Sequence, residues 1–324
     1  MQDLGRHNFN LSINMSDYES PFSLADKAEQ SYQTWRAWKL AVYPARAEEL
    51  LVPLRDPYNM TTQEKAEVLT RLLHANMVIY TINKDTTDLS DKKIVQLLGQ
   101  QLGLNRLDSN LCADSDSITS LQAIEGGRKQ GYIPYSNMKL SWHTDGYYNK
   151  ANEQIRGVIL HCVSNAAEGG ENALLDHEML YIHLRDMNPA YISALMQENV
   201  MTIPPNVENG IEIRGAQSGP VFSVDPHSGA LHMRYSARKR NIIWKDDEIT
   251  TAAVNEIERF LDSNSSWILR HRLEPGEGLI CNNVLHNRTA FKDGDGVHKR
   301  LIYRGRYFDR LDNTSFDDVK MAMS

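Results

Sequence analysis

From about residue 130 the chain breaks into short β-rich runs parted by turn signals, and this texture narrows the fold more than any other feature. Residues 156–163 read as a strand, the Gly169-Gly170 turn feeds another strand ending at Leu175, and 226–229 form a hairpin turn ahead of a strand at 231–235. Further strands are expected around 267–273, 278–281 and 300–308. Two helical patterns interrupt them. One covers 176–196 and restarts at Asn188-Pro189 through an N-cap and a proline at the first helical position. The other covers 246–263, with acids at its start and Ile249, Ala253, Ile257, Phe260 and Leu261 on one face. Many short strands with helical insertions predict an α+β chain built on a jelly-roll sandwich rather than a parallel α/β sheet.

The first hundred residues read differently. Residues 1–30 are polar and irregular, and are expected to wrap the surface or fray. Residues 32–54 are aromatic and apolar at helical spacing, interrupted near Pro44. Thr61 with Glu64 three places on resembles a capping box, and Val68, Leu69, Leu72 and Leu73 then form one helical stripe. Residues 77–82 are a strand and 91–102 a second amphipathic helix. The expected organisation is a mainly helical region over 1–75 packed on a core at 76–312, with a tail at 313–324. At 324 residues the chain can bury a substantial core.

A net charge of −7 argues against nucleic acid as the main partner. No run approaches the roughly 18 apolar residues that span a bilayer, and the N-terminus carries no apolar leader. Cys112, Cys162 and Cys281 are scattered, form no CxxC pair and suggest buried, inert thiols. A cytoplasmic protein acting on a small molecule, with no membrane or nucleic-acid partner, is the expectation. Homo-oligomerisation stays open.

The chemistry concentrates at His143-Thr144-Asp145. Residues i and i+2 of a strand face the same side, so one imidazole and one carboxylate can share an ion. The best third ligand is His286. Two histidines and a carboxylate on one face of an ion leave open positions, as in non-haem Fe(II) oxygenases. Lys139 and Ser141 share the side of His143 by the same spacing, while Trp142 is assigned to the core. On the strand at 300–308, Arg300, Arg304 and Arg306 share one face, opposite Leu301 and Tyr303. Buried guanidiniums need carboxylate or phosphate partners. The basic run Arg234, Arg238, Lys239 and Arg240 is read as a solvated face, with a place at the mouth of the site as the alternative. His161, His177, His227 and His232 are read as ordinary core or surface histidines.

In this order, His143-x-Asp145, Gly169-Gly170, Pro275-Gly276-Glu277, His286, Arg300 and Arg304 resemble the TauD/TfdA family of Fe(II)- and 2-oxoglutarate-dependent oxygenases. Leu160-His161-Cys162 and His286-x-Arg288 also resemble its γ-butyrobetaine hydroxylase and clavaminate synthase branches. The resemblance implies a double-stranded β-helix core with iron on His143, Asp145 and His286. It places the distal carboxylate of 2-oxoglutarate on Arg300, Asn172 beside that co-substrate, and Arg304 near the substrate anion with a second contact to the co-substrate. Lys139 stands where some taurine-type members carry an asparagine for the substrate amine. Residues 1–75 hold no cysteine, so the zinc module of butyrobetaine hydroxylases has no counterpart. Asp145 supplies the carboxylate that halogenases lack. The implied reaction consumes O2, releases succinate and CO2, and hydroxylates an unactivated C–H bond of a small anionic or zwitterionic substrate. Desaturation or ring closure would use the same residues. A non-catalytic jelly-roll binding protein and a metal hydrolase are the competing classes.

Overall fold

A computed structural model describes residues 19–109, 114, 116–124, 133–238, 240, 242–295 and 299–324. Cys112 and Lys239 lie outside the described residues. Ten strands bear on the site: β1 (Leu51–Leu54), β2 (Met77–Ile82), β3 (Thr119–Leu121), β4 (Leu140–His143), β5 (Gly157–Ser164), β6 (Asn172–Leu175), β7 (Leu269–His271), β8 (Glu277–Cys281), β9 (Leu285–Arg288) and β10 (Leu301–Tyr307). The larger sheet runs β1-β2-β8-β5-β10-β3 and a smaller one runs β7-β6-β9-β4. Every neighbouring pair in these two sheets is antiparallel except β1 with β2.

Strand alternation sorts side chains into layers. In β10, Ile302 turns inward to a cluster shared by both sheets, with Leu160 and Leu279 from one and Leu174 and Leu269 from the other. The first helix is α1 (Glu29–Val42); Tyr303 and Tyr307 turn outward onto helices α2 (Thr62–Ala75) and α3 (Lys93–Gln101), meeting Leu72, Val95 and Leu98. On the far side, Ala173, Leu175 and Leu285 of the smaller sheet pack against α4 (His177–Met187), α5 (Pro189–Leu195) and α6 (Glu248–Leu261). The protein is thus a mixture of helices and sheets, with two sheets sharing one apolar interior and helices over their outer faces. Gly278 shows how closely neighbouring strands of the larger sheet approach: a Cβ there would fall 2.3 Å from the Leu160 carbonyl oxygen on β5 and from the Tyr80 ring on β2.

Three sequence expectations change. Residues 51–54 are not helical; they form β1, which extends the larger sheet in parallel with β2. The segment before residue 75 is therefore part of the main sheet as well as helical. The expected tail at 313–324 contains a helix, Phe316–Met323, opened by a Ser315/Asp318 capping box and anchored by buried Phe316 and Val319. Within the stretch expected to fray, Phe22 is buried, 5.0 Å from Trp35 and 5.6 Å from Tyr181 between ring centroids.

The Thr61 capping box is formed. The Thr61 hydroxyl accepts from the Glu64 backbone N–H, and the Glu64 carboxylate accepts from the Thr61 N–H at 2.7 Å. Thr61→Ala is expected to cost about 1 kcal/mol, read as a lower urea midpoint with an unchanged slope. A midpoint equal to the wild type would show that α2 is held by packing alone.

Candidate active site

The two histidines meet because of strand register. His143 ends β4, His286 lies in β9, and the antiparallel ladder sets them directly opposite each other. Their rings are 4.3 Å apart between centroids. Both face the interior, since Trp142 and Leu285 on the alternate side belong to the outer core. Asp145 follows two residues after β4, with Oδ2 3.9 Å from His286 Nε2.

Hydrogen bonds settle which nitrogens face one another. His143 Nδ1 donates to the Ser141 carbonyl at 2.9 Å, and His286 Nδ1 donates to the Val284 carbonyl at 3.0 Å. A carbonyl only accepts, so each Nδ1 carries the proton and each Nε2 keeps its lone pair, as metal-ligating imidazoles require. Burial, reinforced by His286, depresses His143 to about 3, so its ring is neutral. Burial pushes the Asp145 carboxyl upward, but Arg304, Arg306 and the two histidines outweigh it and hold the group below the ordinary carboxylate range. Asp145 Oδ1 accepts from Arg304 Nη1 at 2.8 Å, while Oδ2 is buried with no hydrogen-bond partner among the described residues. Among the described residues no three His, Cys, Asp or Glu side chains form a finished ion cage. What is present is two free Nε2 lone pairs and an orphaned carboxylate oxygen on one side of the interior. That donor set fits a divalent ion of the Fe(II) kind.

Arg300 immediately precedes β10. It is buried, burial lowers it to about 10, and its Nη1 has no hydrogen-bond partner. Its guanidinium sits 5.2 Å from the Phe291 ring centroid. It lines a cavity with Asn165, Gly170, Asn172, Arg272 and Ile302. The Gly-Gly turn forms one wall. Both glycines have positive φ, 74° and 80°, and a Cβ on Gly169 would fall 2.3 Å from the Ala290 carbonyl. Asn172 opens β6 on the same wall, its amide donating to the Asn287 carbonyl at 3.0 Å. Asp293 accepts from the Arg300 backbone N–H at 2.8 Å and acts on its charge, but the guanidinium makes no ion pair among the described residues, and a buried guanidinium so placed on a cavity wall suits a carboxylate.

Arg304, expected near the substrate anion, donates from Nη1 to Asp145, and its Nε is buried without a hydrogen-bond partner among the described residues. Arg306 pairs with Asp108, donates to the Tyr148 hydroxyl at 2.9 Å and lies 3.7 Å from Asp145. Lys139 is exposed, on the approach to β4. Ser141 serves through its backbone carbonyl. Trp142 is in the core, its Nε1 donating to the Leu261 carbonyl at 3.1 Å. Arg234 is not solvated: it is buried and donates to the carbonyls of Tyr147, Met201 and Gln217. Cys162 and Cys281 are buried free thiols, both raised by burial to about 12.

Sequence reasoning did not assign three further groups. Arg288 is buried over Phe291 and donates to the Ser136 carbonyl at 2.9 Å and to that of Met138. Arg272 joins Arg300 on the cavity wall. Asp108, the partner of Arg306, lies in a stretch with no motif to flag it.

Several solved structures share this fold. A non-haem iron oxygenase, OrfP, in complex with Fe, succinate and (3S)-hydroxy-L-Arg matches with a TM-score of 0.55 at 14% identity, covering 76% of this chain and 79% of that one. Asparagine oxygenase with Fe(II), 3-hydroxyasparagine and succinate matches at TM-score 0.53 and 14% identity, over 90% of this chain and 86% of that one. A taurine dioxygenase from Burkholderia xenovorans gives 0.51 at 15% identity, over 78% and 84%. The fold is therefore that of non-haem iron oxygenases. The chain belongs to the taurine catabolism dioxygenase TauD, TfdA family, whose model matches residues 39–305, and is an oxygenase. A curated relative, uridine-5′-phosphate dioxygenase from Streptomyces sp, is 26% identical over 207 residues, 60% of this chain and 70% of that protein.

Proposed function

We propose that the protein is an Fe(II)- and 2-oxoglutarate-dependent dioxygenase that hydroxylates an unactivated C–H bond of a small substrate bearing negative charge. The observation that carries this reading is the pairing of two Nε2 lone pairs with the orphaned Asp145 Oδ2, together with the buried Arg300 guanidinium, whose Nη1 has no hydrogen-bond partner among the described residues. The two packed sheets are read as the walls of a double-stranded β-helix. Fe(II) would be held by His143, Asp145 and His286, and the distal carboxylate of 2-oxoglutarate by Arg300 with Asn172 alongside. When bound, Fe(II) and 2-oxoglutarate supply the activation of O2, with succinate and CO2 as by-products.

The chain's own residues do the rest. Arg304 holds Oδ1 of Asp145 and so leaves Oδ2 to face the histidines. The Ser141 and Val284 carbonyls fix both ring orientations. Apolar side chains from both sheets keep the interior dry, which strengthens each of these charge contacts. Charge balance favours an anionic or zwitterionic substrate. Arg304 and Arg306 offset Asp145 and Asp108, Asp293 offsets one of the neighbouring buried pair Arg300 and Arg288, and an Fe(II) ion would offset a dicarboxylate, which leaves one buried guanidinium in surplus. A compound that brings one negative charge restores neutrality; a neutral one does not.

Coupled succinate release across amino acids, betaines, sulfonates and nucleoside monophosphates tests this, the last because one relative is a uridine-5′-phosphate dioxygenase. For the active compound, the acid is expected to turn over at least tenfold faster than its matched neutral amide. Equal turnover of the amide would remove the charge assignment, and a product two mass units lighter instead of sixteen heavier would replace hydroxylation by desaturation or ring closure.

A further inference from the structure

We infer that Asn283 is the positioning residue for the carboxylate ligand, clasping the backbone of Asp145 from the turn that presents His286. This rests on the reading of His143, Asp145 and His286 as the iron site.

Asn283 lies in the β8–β9 turn, three residues before His286, and is 2% exposed. Its side-chain oxygen accepts from the Asp145 backbone N–H at 2.8 Å. Its amide nitrogen donates to the Asp145 carbonyl at 3.0 Å and to the Ile155 carbonyl at 2.6 Å. Both ends of the amide are therefore used, and its orientation is fixed by having one N–H to accept from and two carbonyls to donate to. Asp145 needs such help because β4 stops at His143. The residue lies outside the sheet ladder, and the chain turns at once through Gly146, at φ 65°. Asn283 supplies in side-chain form the pairing that the ladder no longer provides. One short segment thus carries the His286 imidazole and grips the Asp145 main chain, fixing the spacing between two of the three ligands.

The turn is itself tied from behind. The neighbouring Asn282 donates to Asn76 Oδ1 at 3.0 Å and to the Thr314 hydroxyl at 3.2 Å. Asn283 also has φ 51°, the left-handed region that asparagine tolerates and most residues avoid. This conformation supplies the control. Glycine adopts it without strain, so Asn283→Gly removes the clasp and leaves the turn. Asn283→Asp keeps an acceptor for the Asp145 N–H but loses both donors and sets a carboxylate against two carbonyl oxygens.

The test uses Co(II) as probe, titrated into the metal-free protein and followed by its visible absorption, with far-UV circular dichroism and thermal melting in parallel. Asn283→Gly is expected to keep the native dichroism, to bind Co(II) some 10- to 100-fold more weakly, as loss of a supporting contact to a ligand does, and to shift the visible bands. Asn283→Asp should shift them too, and serves alone if the glycine variant does not fold. If both variants melt earlier but bind Co(II) with wild-type affinity and spectrum, Asn283 only builds the turn and the inference is overturned. Wild-type protein that binds no Co(II) would instead overturn the iron-site reading, and this inference with it.

Discussion

Replacing His286 by alanine is expected to abolish tight Fe(II) binding, together with the weak visible band that forms when 2-oxoglutarate is added anaerobically to the wild type. The argument is geometric. His286 faces His143 across one ladder position, its Nδ1 is engaged by the Val284 carbonyl, and its Nε2 points to within 3.9 Å of Asp145 Oδ2. Removing that nitrogen leaves one imidazole and one carboxylate, two of the three protein ligands of a facial site, which hold an ion only weakly. His143→Ala should behave alike. His161→Ala provides the contrast. That histidine is fully buried too, but it faces the outer layer, stacked on Tyr80 and hydrogen-bonded to its hydroxyl at 2.9 Å. Its loss should lower the melting temperature and leave iron and the band intact. A His286→Ala protein with full iron content and an unchanged band would refute the third ligand.

Period-two alternation made much of this legible. It set Arg304 and Arg306 on one face of β10 and Tyr303 on the other, and in the fold Ile302 of the first face lies in the shared interior and Tyr303 beneath the helices. Local capping chemistry marked α2 and the Asn188-Pro189 restart, because a cap is decided within four residues. The Ser315/Asp318 box was equally local and could have revealed the last helix. Long-range pairing was the part that could not be read. Residues 51–54 extend an apolar helical pattern, and only their parallel match to β2 makes them a strand. The meeting of His143 with His286 depends on register across more than a hundred residues of chain. For Arg304 and Arg234 the sequence gives the charge but not its partner. One is taken by the carboxylate of Asp145, and the other by backbone carbonyls. A guanidinium's role follows from what it touches, and that is a tertiary fact.

Arg300→Ala is expected to raise the 2-oxoglutarate requirement steeply while leaving Fe(II) binding nearly unchanged. A charge-assisted pair between a buried guanidinium and a carboxylate loses on the order of 2–5 kcal/mol when one partner is removed, or roughly 30-fold to several thousand-fold in affinity. Two observations set the expectation toward the upper part of that range. Arg300 is buried and so already desolvated, and its guanidinium makes no ion pair among the described residues, Asp293 being held by the Arg300 backbone N–H instead. The planar fork also matters, since Lys can return the charge but not two parallel N–H donors. Arg300→Lys should therefore recover only part of the loss. Arg272, on the same wall but partly exposed and with a hydrogen bond to the Ala166 carbonyl, should matter less. The measurement is 2-oxoglutarate titration of the anaerobic Fe(II) protein for wild type, Arg300→Ala, Arg300→Lys and Arg272→Ala. Unchanged 2-oxoglutarate affinity in Arg300→Ala would sink the assignment and move it to Arg304 or Arg306, whose guanidiniums would then have to leave Asp145 and Asp108 to take it up.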